Sequence, residues 1–280
     1  MKHLSLNIIV IIVLFFTVFS CQEVIDVDLE TSQERLVIEA LLKWDNGTSG
    51  NNQTIKLSKT SSFYNNQFVP AIGASIVLSD TSSLIDFVFT DNNDGTYSIT
   101  NFVPILNNTY KLKINYNNNQ YVSESTLLQA PTILDITQST ESGFSTEDPE
   151  VTVRFQDFVD QEDFYRIVFK QHRPSTNNEL IEQETWTYDG NWEANNILEE
   201  WYESEDLISG DEIYIQIYKI SSEFYTFLEV LEQQSNAGIG PFASPPVNVK
   251  GNIINTTNSE NYPYGYFSLN EINSNSYTFE

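Results

Sequence analysis

One cysteine and two histidines in 280 residues leave few groups able to do nucleophilic or metal chemistry. The cysteine, Cys21, stands directly behind the apolar run Leu4–Phe19, within "TVFSCQEVIDVDLE". That run is short of the roughly 20 apolar residues a membrane span needs. It fits the core of a secretory signal, with Lys2 as a weakly basic start. Val18-Phe19-Ser20-Cys21 then has the form of a lipobox, with small Ser20 at the scissile bond and a thiol to receive diacylglycerol. The expectation is a signal peptide over 1–20, acyl chains such as palmitate on Cys21, and a tether over 21–34. Several acyl chains, at about 0.8 kcal/mol per buried methylene, give a stable anchor. Gln22 rather than an aspartate follows the cysteine, which favours the outer membrane.

The other chemistry-bearing residues point less sharply. His3 leaves with the signal, so a Ser-His-Asp triad would have to use His172, which stands in the polar stretch "FKQHRPSTNN". Zinc needs clustered His or Cys, and there is none in the sequence. Calcium needs only oxygens. "DNNDG" (Asp91–Gly95) is one residue short of a calcium-loop spacing and reads better as a hairpin turn. "DFVDQED" (Asp157–Asp163) and "EEWYESED" (Glu199–Asp206) cluster carboxylates that a loop could converge on calcium, against the plainer reading of solvated loops. Calcium therefore stays possible but unsupported, and no other cofactor or metal is expected. A carboxylate-based glycosidase needs two acids about 5–9.5 Å apart in a cleft, a test that 39 acids will pass on paper somewhere.

Aromatic recognition is better placed. "ETWTYDGNWEANNILEEWY" holds Trp186, Tyr188, Trp192, Trp201 and Tyr202 among amides and acids, and three of the four tryptophans fall there. Rings supply flat apolar area and polar neighbours orient a sugar or peptide. The alternative is that Trp186 and Trp201 anchor a core. The tyrosines of "NYPYGYF" are a second candidate rim.

These groups must be positioned by strands. Tyr 15 and Phe 18 are abundant, and hydrophobic residues make up 40%. Alternating runs over Arg35–Trp44, Asn52–Thr60, Ala74–Asp80, Ile85–Thr90, Thr96–Thr100, Thr109–Tyr116 and Gln120–Thr126 read as short strands. Their spacing suggests an immunoglobulin-like sandwich over 35–130. Leu127–Thr137 reads as a junction around Pro131. A second series, Glu150–Asp157, Asp163–His172, Glu179–Gly190 and Asp211–Ile220, opens a C-terminal domain over 131–280. Phe224, Phe227, Leu228 and Leu231 recur at helical spacing behind Ser221 or Ser222, with Gly238 as a stop, and predict one amphipathic helix at about 222–235. "YGYFSLN" and "SYTFE" read as two closing strands. The fold expected is mainly β: two immunoglobulin-like or fibronectin-like sandwiches, the second with one helix. A net charge of −26 argues against nucleic acid as partner.

The tether and first strand carry a resemblance. Ile25-Asp26-Val27-Asp28-Leu29 followed by Leu36-Val37-Ile38-Glu39 resembles the opening of a Bacteroidota lipoprotein family, domain of unknown function 4249. "VPAIGASIVLSD", the helix with "GPFASPPVNVKGNI", and "YGYFSLN" are similar too, so the resemblance spans the mature chain. It departs in the longer polar insert between Asn252 and Gly265. The resemblance implies an accessory role at the outer membrane beside a TonB-dependent receptor, and no catalytic residues. The acids Glu23, Asp26 and Asp28 behind Cys21 favour the cell surface over the periplasmic face. The expected function is ligand or receptor binding without chemistry. The alternatives are an adhesion or structural module and, behind it, a carboxylate hydrolase.

Overall fold

In the computed structural model the described residues are 34–61, 68–139, 148–159, 162–174, 180–189 (backbone only), 197–235 and 249–280. Alternation of buried and exposed side chains generates most of the strands. β1 (Leu36–Asp45) turns Leu36, Ile38, Ala40 and Leu42 inward, and β2 (Gln53–Lys59) pairs with it antiparallel. β3 (Val69–Pro70), β4 (Ser75–Asp80), β5 (Asp86–Val88), β6 (Thr90–Asp91) and β7 (Thr96–Ile99) follow. β8 (Thr109–Tyr116) and β9 (Asn119–Thr126) form the expected hairpin, closed by Asn117 at φ 45° and Asn118 at φ 60°. Asparagine tolerates that left-handed turn, which matches strand twist. The Asp91–Gly95 hairpin is also present, with Gly95 at φ 88°.

The second series comprises β10 (Thr132–Ser139), β11 (Glu150–Gln156), β12 (Asp163–His172), β13 (Leu180–Asp189), β14 (Ile197–Glu203) and β15 (Glu212–Ile220). One helix, α1 (Ser222–Ser235), comes next, and then β16 (Ile254–Asn255) and β17 (Tyr264–Thr278). Three readings need correction. The junction around Pro131 continues into a full strand, because proline is tolerated just before a ladder begins. The aromatic run ending at Tyr202 contains a strand, β14. The two closing strands are one strand of 15 residues.

β17 organises the molecule. Its first part, Tyr264–Ile272, runs parallel to β1, and its second, Asn273–Thr278, antiparallel to β15. A nine-stranded sheet results, in the order β13-β12-β15-β17-β1-β2-β7-β6 with β3 on β2. A five-stranded sheet, β16-β9-β8-β4-β5, packs on its N-terminal part, and a three-stranded sheet, β10-β11-β14, belongs with its C-terminal part. One core holds Ile38, Leu57, Tyr97, Tyr110, Ile114 and Phe267, and the other Val153, Phe155, Tyr165, Ile167, Phe169 and Ile215. The architecture is therefore mainly β, with two sandwich cores and one helix. A boundary at 130/131 does not separate the cores cleanly, since Ile253, Phe267 and Leu269 return to the first.

The return is tight. A Cβ on Gly251 would fall 1.6 Å from the Gly265 carbonyl oxygen, so only glycine lets the segment before β16 cross β17. Asn252 then pairs its side-chain amide with both backbone groups of Phe267, at 2.8 and 2.9 Å. The polar insert is ordered by Asn255, which accepts from the backbone N–H of Thr257 and Asn258 and donates to the Asn261 carbonyl.

Candidate functional site

α1 packs on the outer face of the nine-stranded sheet, the face turned away from both sandwich cores. Its start is capped as the sequence requires: Ser221 Oγ accepts from the Phe224 N–H at 3.2 Å. Phe224 and Leu228 bury against Val168, Tyr218, Ile220, Tyr266 and Ile272. The Phe224 ring stacks on Tyr266 at 4.5 Å, and Phe227 leans on the same ring at 4.9 Å. The helix covers only part of this face, and Leu41 and Leu231 remain 37% and 43% exposed.

Three adjoining cavities flank the helix, of about 450, 500 and 520 Å³. Tyr266 lines all three. The first has the most polar wall of the three, with Glu124, Ser125, Ser221, Glu223 and Asn252 in it. The second passes beside Thr226, Val230 and Lys250. The third is the most apolar, walled by Val37, Leu41, Phe227, Leu231, Val249 and Tyr264, with Glu39 at its side and Arg166 below. Each volume lies in the range of small-ligand sites.

Charge around the groove is set by its walls. At the start of α1, the backbone N–H of Glu223 itself and then the Ser221 hydroxyl hold the Glu223 carboxyl below its usual value. Burial pushes the Tyr266 hydroxyl up. Burial, and then Tyr262 beside it, does the same for Tyr264. Glu39 is paired with Lys56 at 3.3 Å. Arg166 is 8% exposed, its guanidinium 6.0 Å from the Tyr218 and Phe224 rings. Below the groove, Arg35 and Lys250 each lie 3.9 Å from the centre of the Tyr262 ring. The tyrosines of "NYPYGYF" thus divide: Tyr262 holds two cations and Tyr264 and Tyr266 wall the groove.

The aromatic run is split rather than gathered. Trp186 and Tyr188 lie on β13 in the nine-stranded sheet, opposite Arg166 and Phe164 in register, and their side chains lie outside the described residues. Trp192 and Cys21 also lie outside them. Trp201 and Tyr202 sit on β14 in the three-stranded sheet. Neighbours on a strand face opposite ways. Trp201 is 44% exposed, whereas Tyr202 is 2% exposed, stacks on Phe169 and donates to Gln171 Oε1 at 2.8 Å. Tyr202 as a ligand contact is corrected to a core residue.

The carboxylate candidates have local tasks. Asp91 accepts from the N–H of Gly73 and Asn93, and Asp94 from the N–H and hydroxyl of Thr96. Among the described residues no three His, Cys, Asp or Glu side chains converge on a metal position. His172 lies at the surface, 3.3 Å from Glu212. Asp157 and Asp163 are buried on the Tyr165 hydroxyl. Glu199 pairs with Arg154 at 3.0 Å. The groove itself was missed in the sequence. Its signal was β1, where Val37 and Leu41 make the outward face apolar as well.

A β-sandwich protein with a lateral helix and groove is the class so defined. The chain belongs to the family described as Domain of unknown function (DUF4249), whose profile matches residues 22–275. No curated protein matches. Among solved structures it is similar to a DUF4785 family protein of Legionella pneumophila, at 9% identity and TM-score 0.26, over 66% of this chain and 52% of that one. It is also similar to the FN1–FN3 domains of chicken CNTN1, at 15% identity and TM-score 0.27, over 66% of this chain and 60% of that one. The chain thus spans little more than half the length of either.

Proposed function

We propose that this chain is a lipid-anchored outer-membrane accessory protein, acylated at Cys21, that binds a ligand or a TonB-dependent transporter without chemistry of its own. The observation that carries the binding half is the apolar cavity of about 520 Å³ between α1 and the outward face of β1 and β17. Leu41 and Leu231 stand partly exposed in its lining, where a bound apolar group would cover them. The anchoring half is supported by the apolar run and lipobox ahead of Cys21, and the tether would enter the fold at Glu34, just before the strand that walls the groove. The family resemblance favours a transporter as neighbour, and the acids behind Cys21 favour the cell surface. Radiolabelled palmitate tests the anchor: label retained by Cys21→Ala would overturn it. Co-purification from outer membranes tests the partner, and recovery of the protein alone would count against an accessory role. An adhesion module, the second reading, rests on exposed Trp201 and predicts lost attachment rather than lost uptake on deletion.

A further inference from the structure

The C-terminal sandwich sets a half-buried lysine against a buried aspartate, beside a second buried aspartate. Asp163 opens β12, Tyr165 follows it on the same strand face, and Lys219 lies opposite Tyr165 on β15. Lys219 is therefore the diagonal cross-strand neighbour of Asp163, within reach of a long side chain. Lys219 Nζ contacts Asp163 Oδ1, with the two side chains 17% and 1% exposed. The Phe158 ring lies 4.7 Å from the same nitrogen and screens it from water. Tyr165 is fully buried between the carboxylates: its hydroxyl donates to Asp157 Oδ1 and lies 3.4 Å from Asp163 Oδ2. Burying a pair of ions is costly unless the charges are removed or richly hydrogen-bonded.

We propose that Lys219 and Asp163 condense to an intramolecular amide that ties β15 to β12. A proton first moves from Lys219 Nζ to Asp163, giving amine and carboxylic acid. The nitrogen lone pair attacks Asp163 Cγ and the C–N bond forms. The C–O bond then breaks and its hydroxyl leaves as water, taking the proton the nitrogen loses. The proton the nitrogen loses passes to the Asp163 oxygens, and the Tyr165 hydroxyl between the two carboxyls hands it to Asp157 and back to the leaving hydroxyl. No oxidant or cofactor is consumed. Holding amine and carboxyl in contact supplies the effective concentration that condensation lacks in water, and expelling the water from a dry core makes return slow. Burial and the hydrogen bond to Asp157 both push the Tyr165 hydroxyl far up, so it stays a neutral bridge.

Mass spectrometry of the purified full chain after cleavage at glutamates tests this directly. The expected product joins Asp163–Glu179 to Ile213–Glu223 as one branched peptide, lighter by one water than the two together. Lys219→Arg is expected to release the two peptides separately. Asp157→Ala, confirmed as folded by circular dichroism, keeps the pair but removes the relay acid and is expected to do the same. Two separate peptides at full mass from the unaltered chain would show an ion pair only and overturn the proposal. A branched peptide persisting in Lys219→Arg would overturn the assignment of the bond, and one formed in Asp157→Ala would overturn the relay.

Discussion

Asp211 has no exposed surface, yet its carboxylate is ionised and orders a whole loop. It accepts from Arg173 through Nε and Nη2, both at 2.8 Å, from Gln171 at 2.6 Å and from the Ile208 N–H at 3.1 Å. A forked guanidinium on a carboxylate is a strong, oriented pair. Arg173, and then the Ile208 N–H and Gln171, hold the Asp211 carboxyl below its ordinary value against the opposing effect of burial. A folded-state value lowered in this way adds stability that is complete above the unfolded value of about 4 and is lost as pH falls through the folded one. Asp211→Asn sets an amide N–H against those donors and is expected to cost about 2 kcal/mol. Urea midpoints at pH 7 and pH 3 check this: the difference between variant and parent should shrink in acid. Gly265 makes the second case. It sits at φ 98°, and a Cβ there would lie 2.0 Å from the Ile38 carbonyl oxygen. Gly265→Ala should leave little folded protein, whereas Gly73→Ala, at φ 88° with nothing within 4 Å, should cost only about 1–2 kcal/mol. Equal losses in thermal melts would contradict the close approach.

At the scale of elements, the helix and the hairpins were legible because their signals are local. Ser221 ahead of Phe224, Phe227, Leu228 and Leu231 is a cap and a helical stripe, and the structure uses the cap and buries Phe224 and Leu228, with Phe227 packed beside them and Leu231 left partly exposed. Ser221→Ala should lower stability by about 1 kcal/mol and loosen the floor of the groove, seen as faster amide exchange at Phe224 and Tyr225. Unchanged exchange would mean that Tyr266 and the sheet hold the helix without its cap. β14 escaped notice because Trp201 and Tyr202 read as a cluster, whereas alternation sends one to solvent and the other to the core. The pairing of β1 with β17 was invisible for a different reason. A parallel pair between Val37 and Tyr264 leaves no turn to announce it, and nothing local in either strand names its partner. The groove depends on that pairing, since Val37 and Leu41 come from one strand and Tyr264 and Tyr266 from the other.

For the molecule as a whole, β17 decides how the cores depend on each other. Its single run of 15 residues supplies Phe267 and Leu269 to one core and pairs with β15 beside the other. The junction is clamped to it: Glu271, 3% exposed, accepts from the N–H of Ala130 and from Asn46, and Asn273 donates to the Pro131 carbonyl. Glu34–Glu280 should therefore unfold in one transition, with calorimetric and van't Hoff enthalpies equal; two separated transitions would show independent cores. The central claim is that the groove beside α1 is a docking surface for an outer-membrane partner. Leu41→Asp with Leu231→Arg alters two partly exposed side chains in its lining and should leave the melt nearly unchanged. The most direct measurement is parallel affinity purification of the unaltered and doubly substituted full chains from outer membranes. A transporter recovered with the first and lost with the second is the expected result, and equal recovery with both, or none with either, would contradict the account.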